Sequence, residues 1–496
     1  MKNSIILVIS FSAFPILFLF SQNSDVITFT DFVTTLIVTS TIALIGWAII
    51  SKVLKNQRKS GIIIVIMSIL FFSYGHITES IPFELHEAVG GHVHLFLLSI
   101  YGTLFIITSV KIWRTKKKLD NVEKIVCGIG ITLCILAISS VDYTNYNSVQ
   151  NYDEKISNIG STVEKRNIYY ILFDGYSSSE ILEEIYGHDN SQVVDFLKDE
   201  GFFVAENSYT NYPQTQLFLS ALLNMEYINY IADDVGIKSG NVKVLGSKIY
   251  ESKIITDFRN GGYGIYYLDT GFLAYPTKMK SDMNLCTYNN YFNSQFQILI
   301  LRMSMFNPIY HKFFEDDYRQ RILCTFEEIP KIHEYSEKPV FVFAHIMVPH
   351  APYIFGPNGE DMSSESFEME SSGKDKEGYL NQAKFAEKKI VELVKKIRAS
   401  DKQAIIMIMS DSGSDSTLDW NNPNDESIRE RFGNFNTYYF PDGGNEILYD
   451  GISPVNTFRK LLNFYFNEDY EILEDRSYFS NASEPFNFKE VTDILN

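Results

Sequence analysis

The sequence predicts an α/β domain with a mostly parallel central sheet flanked by helices, preceded by an α-helical transmembrane region. Three observations predict this fold class. About five long apolar runs fill residues 1–145, short apolar strands then alternate with amphipathic helices, and polar residues recur where those strands end. The chain of 496 residues is long enough for two folding units, and 45% hydrophobic residues allow a substantial core.

The region 1–145 is predicted to cross a lipid bilayer. Its apolar runs occupy residues 4–20, 32–50, 61–74, 93–110 and 125–141, and most approach the ~20 residues that span a membrane. Lys and Arg cluster after the second and fourth runs, and such loops tend to remain cytoplasmic. We therefore expect a cytoplasmic N-terminus and an extracytoplasmic C-terminal domain. Two alternatives stay open: the first run acts as a signal anchor, or a re-entrant third run leaves the C-terminal part cytoplasmic.

Charge and cysteine usage exclude some classes of function. The net charge of -18 argues against a general nucleic-acid binder. The four cysteines lack the CxxC or Cys/His spacing of a zinc site, and Cys127 and Cys134 lie in an apolar run. Cys286 and Cys324 can pair outside a membrane, but the sequence leaves that pairing open.

A polar linker, residues 146–166, is predicted to lead into the extracytoplasmic domain, residues 167–496. Strands are predicted at "IYYILFD", "FFVAENSY", "YGIYYLD", "PVFVFAHIMV" and "QAIIMIMSD", and helices at "SQVVDFLKDEG", "KIYESKIITDFRNGG" and "LNQAKFAEKKIVELVKKIRAS". The Gly/Ser-rich segment 358–378 is predicted to be a loop.

Acidic and imidazole groups follow three of these strands. Asp174 ends the first strand, His345 and His350 belong to the "VFVFAHIMVPH" segment, and Asp411 follows "IIMIM". Ligands bind beyond the carboxyl ends of strands in such sheets. One Asp at a strand end is often only a helix cap, but two converging carboxylates repel each other unless a cation lies between them.

Thr215 stands in a polar turn directly before the apolar helical run "LFLSALLNM". One interpretation is a plain N-cap. The other is a nucleophile at a helix N-terminus, where backbone N–H groups favour an anion and a nearby cation stabilises the alkoxide. His345 and His350 likewise have two interpretations, as structural residues or as groups that hold a phosphate or protonate a leaving group.

Polar residues also crowd the loop between the third and fourth runs. A metal or substrate role is one interpretation, and polar residues at a membrane surface are the commoner explanation. The residues are His76, Glu79, Glu84, His86, Glu87, His92 and His94.

Four motifs in this order resemble the alkaline phosphatase superfamily: "YYILFDGYS", "YPQTQLFLSALLNM", "HIMVPHAPY" and "SDSGS". The resemblance covers residues ~165–465 and is closest to the membrane-anchored sulfatase-like branch, which includes lipoteichoic acid synthases and phosphoethanolamine transferases. It implies an alkaline-phosphatase-like domain and one divalent metal ion, with Mn, Mg, Zn and Ca not distinguished.

The resemblance also implies residue roles. Asp174, Thr215 and Asp411 match metal ligands, and Thr215 also matches the nucleophile that is transiently phosphorylated. His345 and His350 match a segment that contacts the substrate phosphoryl group. Arg429 and Arg431 follow the metal motif, but the resemblance assigns them no role.

One position departs from the family pattern. Ser412 stands where the pattern Ser-Asp-His-Gly has a metal-binding His. Imidazole suits Mn or Zn better than a neutral hydroxyl does, although Asp415 or a water can complete the sphere of a hard cation.

The sequence therefore favours a membrane-anchored, metal-dependent hydrolase or transferase acting on phosphoester groups of lipid-linked or cell-surface glycan substrates. The segment "YPQTQ" lacks the C/S-x-P-x-R pattern of sulfatases, which disfavours sulfate esters. The alternative is a catalytically impaired sulfatase-like protein that binds or scaffolds envelope polysaccharide.

Overall fold

The computed structural model describes residues 2–23, 27, 29–81, 92–141, 165–270, 281–283, 285–286, 295–362 and 375–495. The chain divides into two compact units. A helical unit comprises residues 1–145 and 288–316, and an α/β unit comprises residues 146–287 and 317–496. Residues 288–316 thus belong to the helical unit, although they lie within the range 167–496 predicted for the other domain. The predicted linker lies outside the described residues apart from Lys165 and Arg166.

Five helices in the first unit are long and apolar enough to cross a membrane, which confirms the transmembrane region. The third predicted run, the weakest in sequence, is a full-length helix like the others. The five helices are α1 (Lys2–Gln22), α2 (Phe29–Leu54), α3 (Gln57–Glu79), α4 (Val93–Arg114) and α5 (Asp120–Ser139).

The insertion 288–316 packs onto these spans through one apolar helix. Phe296 and Met303, at the two ends of α12 (Gln295–Arg302), join a buried cluster with side chains of α1, α2 and α3. The N–H of Met305 donates to the carbonyl of Phe71 at 2.9 Å. Next to this contact lies an apolar cleft of about 560 Å³ between α2, α3 and the insertion.

The remaining elements lie in the α/β unit, except that the helix Asn307–Glu328 begins in the helical unit, which extends to residue 316. The strands are β1 (Ile168–Phe173), β2 (Phe203–Val204), β3 (Gly264–Asp269), β4 (Val340–Ile346), β5 (Ile405–Met409), β6 (Asn436–Tyr439), β7 (Tyr478–Asn481) and β8 (Glu484–Glu490). The helices outside the predicted spans, with α12 given above, are α6 (Ser179–Tyr186), α7 (Ser191–Asp199), α8 (Thr215–Asn224), α9 (Ile231–Val235), α10 (Lys243–Tyr250), α11 (Lys253–Asn260), α13 (Asn307–Glu328), α14 (Lys376–Ser400), α15 (Asp425–Phe432), α16 (Pro454–Phe466) and α17 (Thr492–Leu495), with 3-10 turns at Ile329–Tyr335 and Gly444–Ile447.

The central sheet has the strand order β2-β6-β5-β1-β4-β3. Strands β3, β4, β1 and β5 pair in parallel, and only β6 runs against its neighbours β5 and β2. Every residue of β1, β4 and β5 is buried, as continuous apolar strands covered by helices on both faces should be. The predicted fold class, a mostly parallel sheet flanked by helices, is confirmed.

Several predicted element bounds are wrong. The helix predicted over "KIYESKIITDFRNGG" is two helices, because the chain breaks at Glu251 and Ser252 and restarts with extended Ser252 as the N-cap of α11. The predicted loop 358–378 ends earlier: Asp375 caps α14 by accepting the N–H of Gly378 at 3.0 Å. Residues 363–374 lie outside the described residues.

The cysteine pairing that the sequence left open is present. Cys286 and Cys324 form a disulfide within the α/β unit, and Cys127 and Cys134 are free. The two bonded cysteines flank residues 288–316, so the insertion leaves and re-enters the α/β unit between covalently linked positions.

Candidate active site

The structure brings Asp174 and Asp411 to one edge of the sheet. Strands β1 and β5 are parallel neighbours with Leu172 opposite Met409, and each aspartate lies two residues beyond that pair. Both carboxylates are fully buried. The N–H of Gly175 donates to Oδ1 of Asp411 at 3.0 Å, which joins the two strand ends directly. Gly175 has a φ of +74°, a conformation that glycine adopts without the strain of a side chain.

Thr215 contacts the second of these carboxylates. Its hydroxyl donates to Oδ2 of Asp411 at 2.5 Å, and it is the first residue of α8. The N-cap position belongs to Gln214, whose side chain donates to Ser480 and makes no capping bond. The plain N-cap interpretation of Thr215 is therefore wrong: its hydroxyl faces the carboxylate, and the first turn of α8 has no side-chain cap.

The two histidines occupy different environments. His345 is fully buried, and its Nε2 lies 2.9 Å from Oδ2 of Asp174. It thus orients Asp174, and the expected contact of His345 with a substrate phosphoryl group stays a prediction. His350 is half-buried, and its backbone N–H donates to the backbone carbonyl of Asp174 at 3.1 Å. Its Nδ1 lies 2.6 Å from the carbonyl of Ala351, which orients the ring.

The electrostatics of the two aspartates differ. Burial alone would raise the pKa of Asp174, but the charges of His350 and His345 and the hydrogen bond from His345 hold that pKa below its usual range. Burial, and then the adjacent Asp174 carboxylate, raise the pKa of Asp411 above its usual range. Asp174 therefore stays ionised, and Asp411 is the carboxylate of the pair that more readily accepts a proton.

Two buried oxygen atoms at this edge have no hydrogen-bond partner: Oδ1 of Asp174 and Oγ of Ser412. Leaving such atoms unsatisfied costs free energy, so a native structure pairs them with a group of opposite character. A cation beside these oxygens and the Asp411 carboxylate satisfies both atoms and neutralises the carboxylate pair. The residues therefore fit a metal ion.

The donor set is unusual for such a site. In the part of the chain that the structure describes, no group of three or more His, Cys, Asp or Glu is arranged to hold a metal ion. Asp415 is half-buried and makes no side-chain hydrogen bond to Asp174 or Asp411 among the described residues. Two further buried oxygens are the hydroxyl of Thr215, which bonds to Asp411, and the hydroxyl of Ser412, which follows Asp411 in the sequence.

The loop that carries Asp411 and Ser412 is held by a buried carboxylate, Glu430 on α15. Glu430 accepts bonds from the hydroxyls of Ser414 and Ser416 and from the N–H groups of Ser416 and Thr417, all at 2.7 to 2.8 Å. Burial would raise the pKa of Glu430, but hydrogen bonds from Thr417, Ser416 and Ser414 keep it below its usual range. The charged clamp fixes the loop beside the aspartates.

Gly413 allows this loop to approach α15. A Cβ at Gly413 would lie 2.1 Å from the carbonyl of Glu430 and 2.8 Å from that of Gly433, both backbone atoms. We expect Gly413→Ala to destabilise the protein by about 1 to 3 kcal/mol, measured by denaturant unfolding, because the loop must be displaced. Gly451→Ala is the control, since the nearest atom to its Cβ would be 3.8 Å away. Equal stability of the two variants would contradict this account.

Arg431 links the turn before Thr215 to the loop that follows Asp411. Its guanidinium donates to the carbonyl of Pro213 from Nε at 2.9 Å and from Nη2 at 2.7 Å, and to the carbonyl of Gly413 at 2.9 Å. Its positive charge is one of the causes that lower the pKa of Asp174. The same charge opposes the rise in the pKa of Asp411 that burial and Asp174 cause. Arg431 thus positions the Thr215 and Ser412 segments relative to each other.

Sequence reasoning missed Glu430 as a clamp and assigned Arg431 no function. It also missed Tyr379, whose hydroxyl donates to the carbonyl of Gly175 at 3.0 Å and contacts the N–H of Ser177 at 3.1 Å. The run of charges in "SIRERF" was the available signal for the first two. It does not say which charged residue faces inward, because that depends on how α15 packs. Nothing in the sequence around Tyr379 marks it.

The polar loop between the third and fourth apolar runs is only partly described. Residues 82–91, which include His86, Glu84 and Glu87, lie outside the described residues. In the described part, Nδ1 of His94 lies 3.1 Å from the hydroxyl of Tyr74 within the helical unit. That contact is an interhelical hydrogen bond between α3 and α4.

Comparisons with known proteins show likeness of fold at low sequence identity. No family model and no curated protein matches the sequence. The C-terminal periplasmic domain of EcEptC from Escherichia coli is similar at 13% identity, covering 66% of this chain and 92% of that domain with a TM-score of 0.40. A complex of the same domain with Zn has also been solved.

Two further solved structures are similar. The soluble domain of lipooligosaccharide phosphoethanolamine transferase A from Neisseria meningitidis shares 10% identity, covering 62% of this chain and 89% of that domain, with a TM-score of 0.40. The putative sulfatase yidJ from Bacteroides fragilis shares 12% identity, covering 65% of this chain and 83% of that protein, with a TM-score of 0.37.

At these identities and TM-scores, the chemistry of the site has to rest on the side chains of this chain. The similar solved structures include phosphoethanolamine transferase domains and a sulfatase, and the likeness is one of fold.

Proposed function

We propose that this protein is a membrane-anchored, metal-dependent phosphoester transferase or hydrolase that acts on lipid-linked or cell-surface glycan substrates through Thr215. The observation that carries the proposal is the hydrogen bond from the Thr215 hydroxyl to Asp411 at 2.5 Å, beside a second buried carboxylate. Thr215 is 6% exposed and His350 is half-buried, whereas both aspartates are fully buried.

In the first half-reaction, Oγ1 of Thr215 attacks the phosphorus of the donor. The hydroxyl proton passes to Oδ2 of Asp411, its hydrogen-bond partner. A bond forms between phosphorus and Oγ1, and the bond from phosphorus to the donor oxygen breaks. That oxygen leaves as an alcohol with a proton from the His350 imidazolium.

In the second half-reaction, an acceptor hydroxyl or water attacks the phosphorylated Thr215. Its proton passes to neutral His350, the new phosphorus–oxygen bond forms, and the bond to Oγ1 breaks as Oγ1 recovers its proton from Asp411. The uncapped N–H groups of the first turn of α8 favour the phosphoryl oxygens in both steps. His345 keeps Asp174 oriented throughout.

The bound cation supplies charge neutralisation for the alkoxide and the phosphoryl group. Asp174, Thr215, Asp411 and Ser412 are the residues that would hold it. The buried, partnerless oxygens of Asp174 and Ser412 support that assignment.

The substrate class follows from the nucleophile and from the anchor. A Thr in place of the modifiable Cys or Ser of sulfatases favours phosphoryl over sulfuryl transfer. The five apolar helices keep the domain at a bilayer, and the apolar cleft of about 560 Å³ in the helical unit is compatible with a lipid-linked substrate.

We place the α/β unit on the extracytoplasmic side, with the N-terminus inside. An odd number of spans puts the two ends of the helical region on opposite sides of the membrane, and the basic loops favour the cytoplasm. The disulfide between Cys286 and Cys324 supports the same placement, because disulfides persist in oxidising compartments.

The test is hydrolysis of bis-para-nitrophenyl phosphate and para-nitrophenyl sulfate by the purified full-length protein in detergent. We expect turnover of the phosphodiester, loss of turnover with EDTA, recovery with a divalent cation, and little turnover of the sulfate. Ser412 is the observation that favours the alternative, a binding protein with an impaired site. Binding of envelope glycan without turnover of either ester under any cation would support that alternative and refute the enzyme.

A further inference from the structure

The cation-binding edge offers oxygen atoms and no free imidazole nitrogen identified as a ligand. We propose that the site, if it performs the proposed function, is tuned to a hard divalent cation such as Mg²⁺ or Ca²⁺, and that Ser412 lowers its preference for Zn²⁺. The buried oxygen atoms at this edge belong to the carboxylates of Asp174 and Asp411 and to the hydroxyls of Thr215 and Ser412. Hard cations prefer carboxylate, carbonyl and water oxygens, whereas structural and catalytic zinc sites rely on nitrogen and sulfur.

One ring nitrogen of each histidine near the aspartates has a described partner. Nε2 of His345 contacts Asp174 at 2.9 Å, so this imidazole orients a carboxylate. Nδ1 of His350 contacts the carbonyl of Ala351 at 2.6 Å. Neither contact leaves the nitrogen concerned facing the partnerless oxygen of Asp174.

Ser412 is held where its hydroxyl cannot find another partner. The residue is fully buried, and the loop that follows it is fixed by Gly413 against α15 and by the bonds of Ser414 to Glu430. A buried hydroxyl without a hydrogen bond destabilises a protein, so its presence directly after Asp411 in the sequence is consistent with a ligand role. A neutral hydroxyl preserves the two negative charges that balance one dication.

Selectivity between cations in cells depends on ligand type and metal availability as well as on affinity. A zinc site built with imidazole binds Zn²⁺ tightly enough to capture a scarce metal. An oxygen site loses that advantage, and the abundant Mg²⁺ and Ca²⁺ then occupy it. The Ser at position 412 thus adapts the site to the common cations.

The experiment measures dissociation constants of Ca²⁺, Mg²⁺, Mn²⁺ and Zn²⁺ by titration calorimetry on the full-length, chelator-treated protein in detergent. We expect Ser412→His to raise the affinity for Zn²⁺ relative to Ca²⁺ by about 10- to 100-fold. Ser412→Ala should weaken Ca²⁺ and Mg²⁺ binding several-fold and leave the melting temperature of the metal-free protein unchanged or higher, because an unsatisfied hydroxyl is removed. Ser414→Ala is the matched control: it should lower the melting temperature and leave the ratio of affinities unchanged.

Four outcomes overturn the inference. The first is unchanged dissociation constants in both Ser412 variants. The second is a lower melting temperature of metal-free Ser412→Ala, which would make the hydroxyl structural. The third is wild-type binding of Zn²⁺ alone. In this last case the proposed function survives, whereas binding of no cation by the wild type would refute the inference and the metal-dependent function together.

Discussion

Thr215→Val is expected to lower the rate of phosphodiester turnover by about 10⁴-fold or more, because the variant keeps the shape of the side chain but has no oxygen to attack phosphorus. Thr215→Ser is the matched control. It retains a hydroxyl that can donate to Asp411, so a substantial part of the activity should remain. The measurement is steady-state turnover of bis-para-nitrophenyl phosphate by each full-length variant.

A second measurement separates a nucleophile from a merely structural threonine. Rapid quenching of the wild type with substrate should give a protein with the added mass of one phosphoryl group, mapped by peptide mass spectrometry to Thr215. The same treatment should leave Thr215→Val unmodified. Turnover by Thr215→Val within about tenfold of the wild-type rate would refute covalent catalysis by this residue, provided that its melting temperature shows a folded protein.

Asp174→Asn has the second-largest expected effect. Removal of the charge should weaken binding of divalent cations by about 100-fold or more and abolish turnover. Loss of a residue that binds the metal directly reduces metal affinity more than loss of a residue that only contacts such a ligand. Excess cation should raise the melting temperature of the wild type, by mass action, and leave the variant unaffected.

The control for this variant is Asp195→Asn, which removes the same charge from an exposed position on α7. Its cation response and its activity should match those of the wild type. A fall in the metal-free melting temperature of Asp174→Asn, together with an intact cation response, would show that Asp174 stabilises the fold and binds no metal.

Local patterns in the sequence were sufficient for much of the fold. The five spans follow from apolar runs of membrane length, and β1, β4 and β5 follow from buried apolar runs that end in polar residues. The positions of Asp174 and Asp411 at strand ends also followed from those runs. Both properties depend on neighbouring residues along the chain, which a single sequence contains.

Pairings between distant segments were beyond the sequence. The antiparallel strand β6, the assignment of residues 288–316 to the helical unit and the pairing of Cys286 with Cys324 depend on long-range contacts. The clamp by Glu430 and the tie by Arg431 depend on which face of α15 packs inward.

The sequence by itself determined which side chains stand at the ends of the strands, including the serine at position 412. Only the tertiary structure decided what they contact: Thr215 bonds to Asp411, His345 bonds to Asp174, and the Ser412 hydroxyl is buried without a partner. The physical reason is that residue type and local periodicity are properties of the chain. Hydrogen-bond partners and burial arise when strands far apart in sequence become neighbours in one sheet.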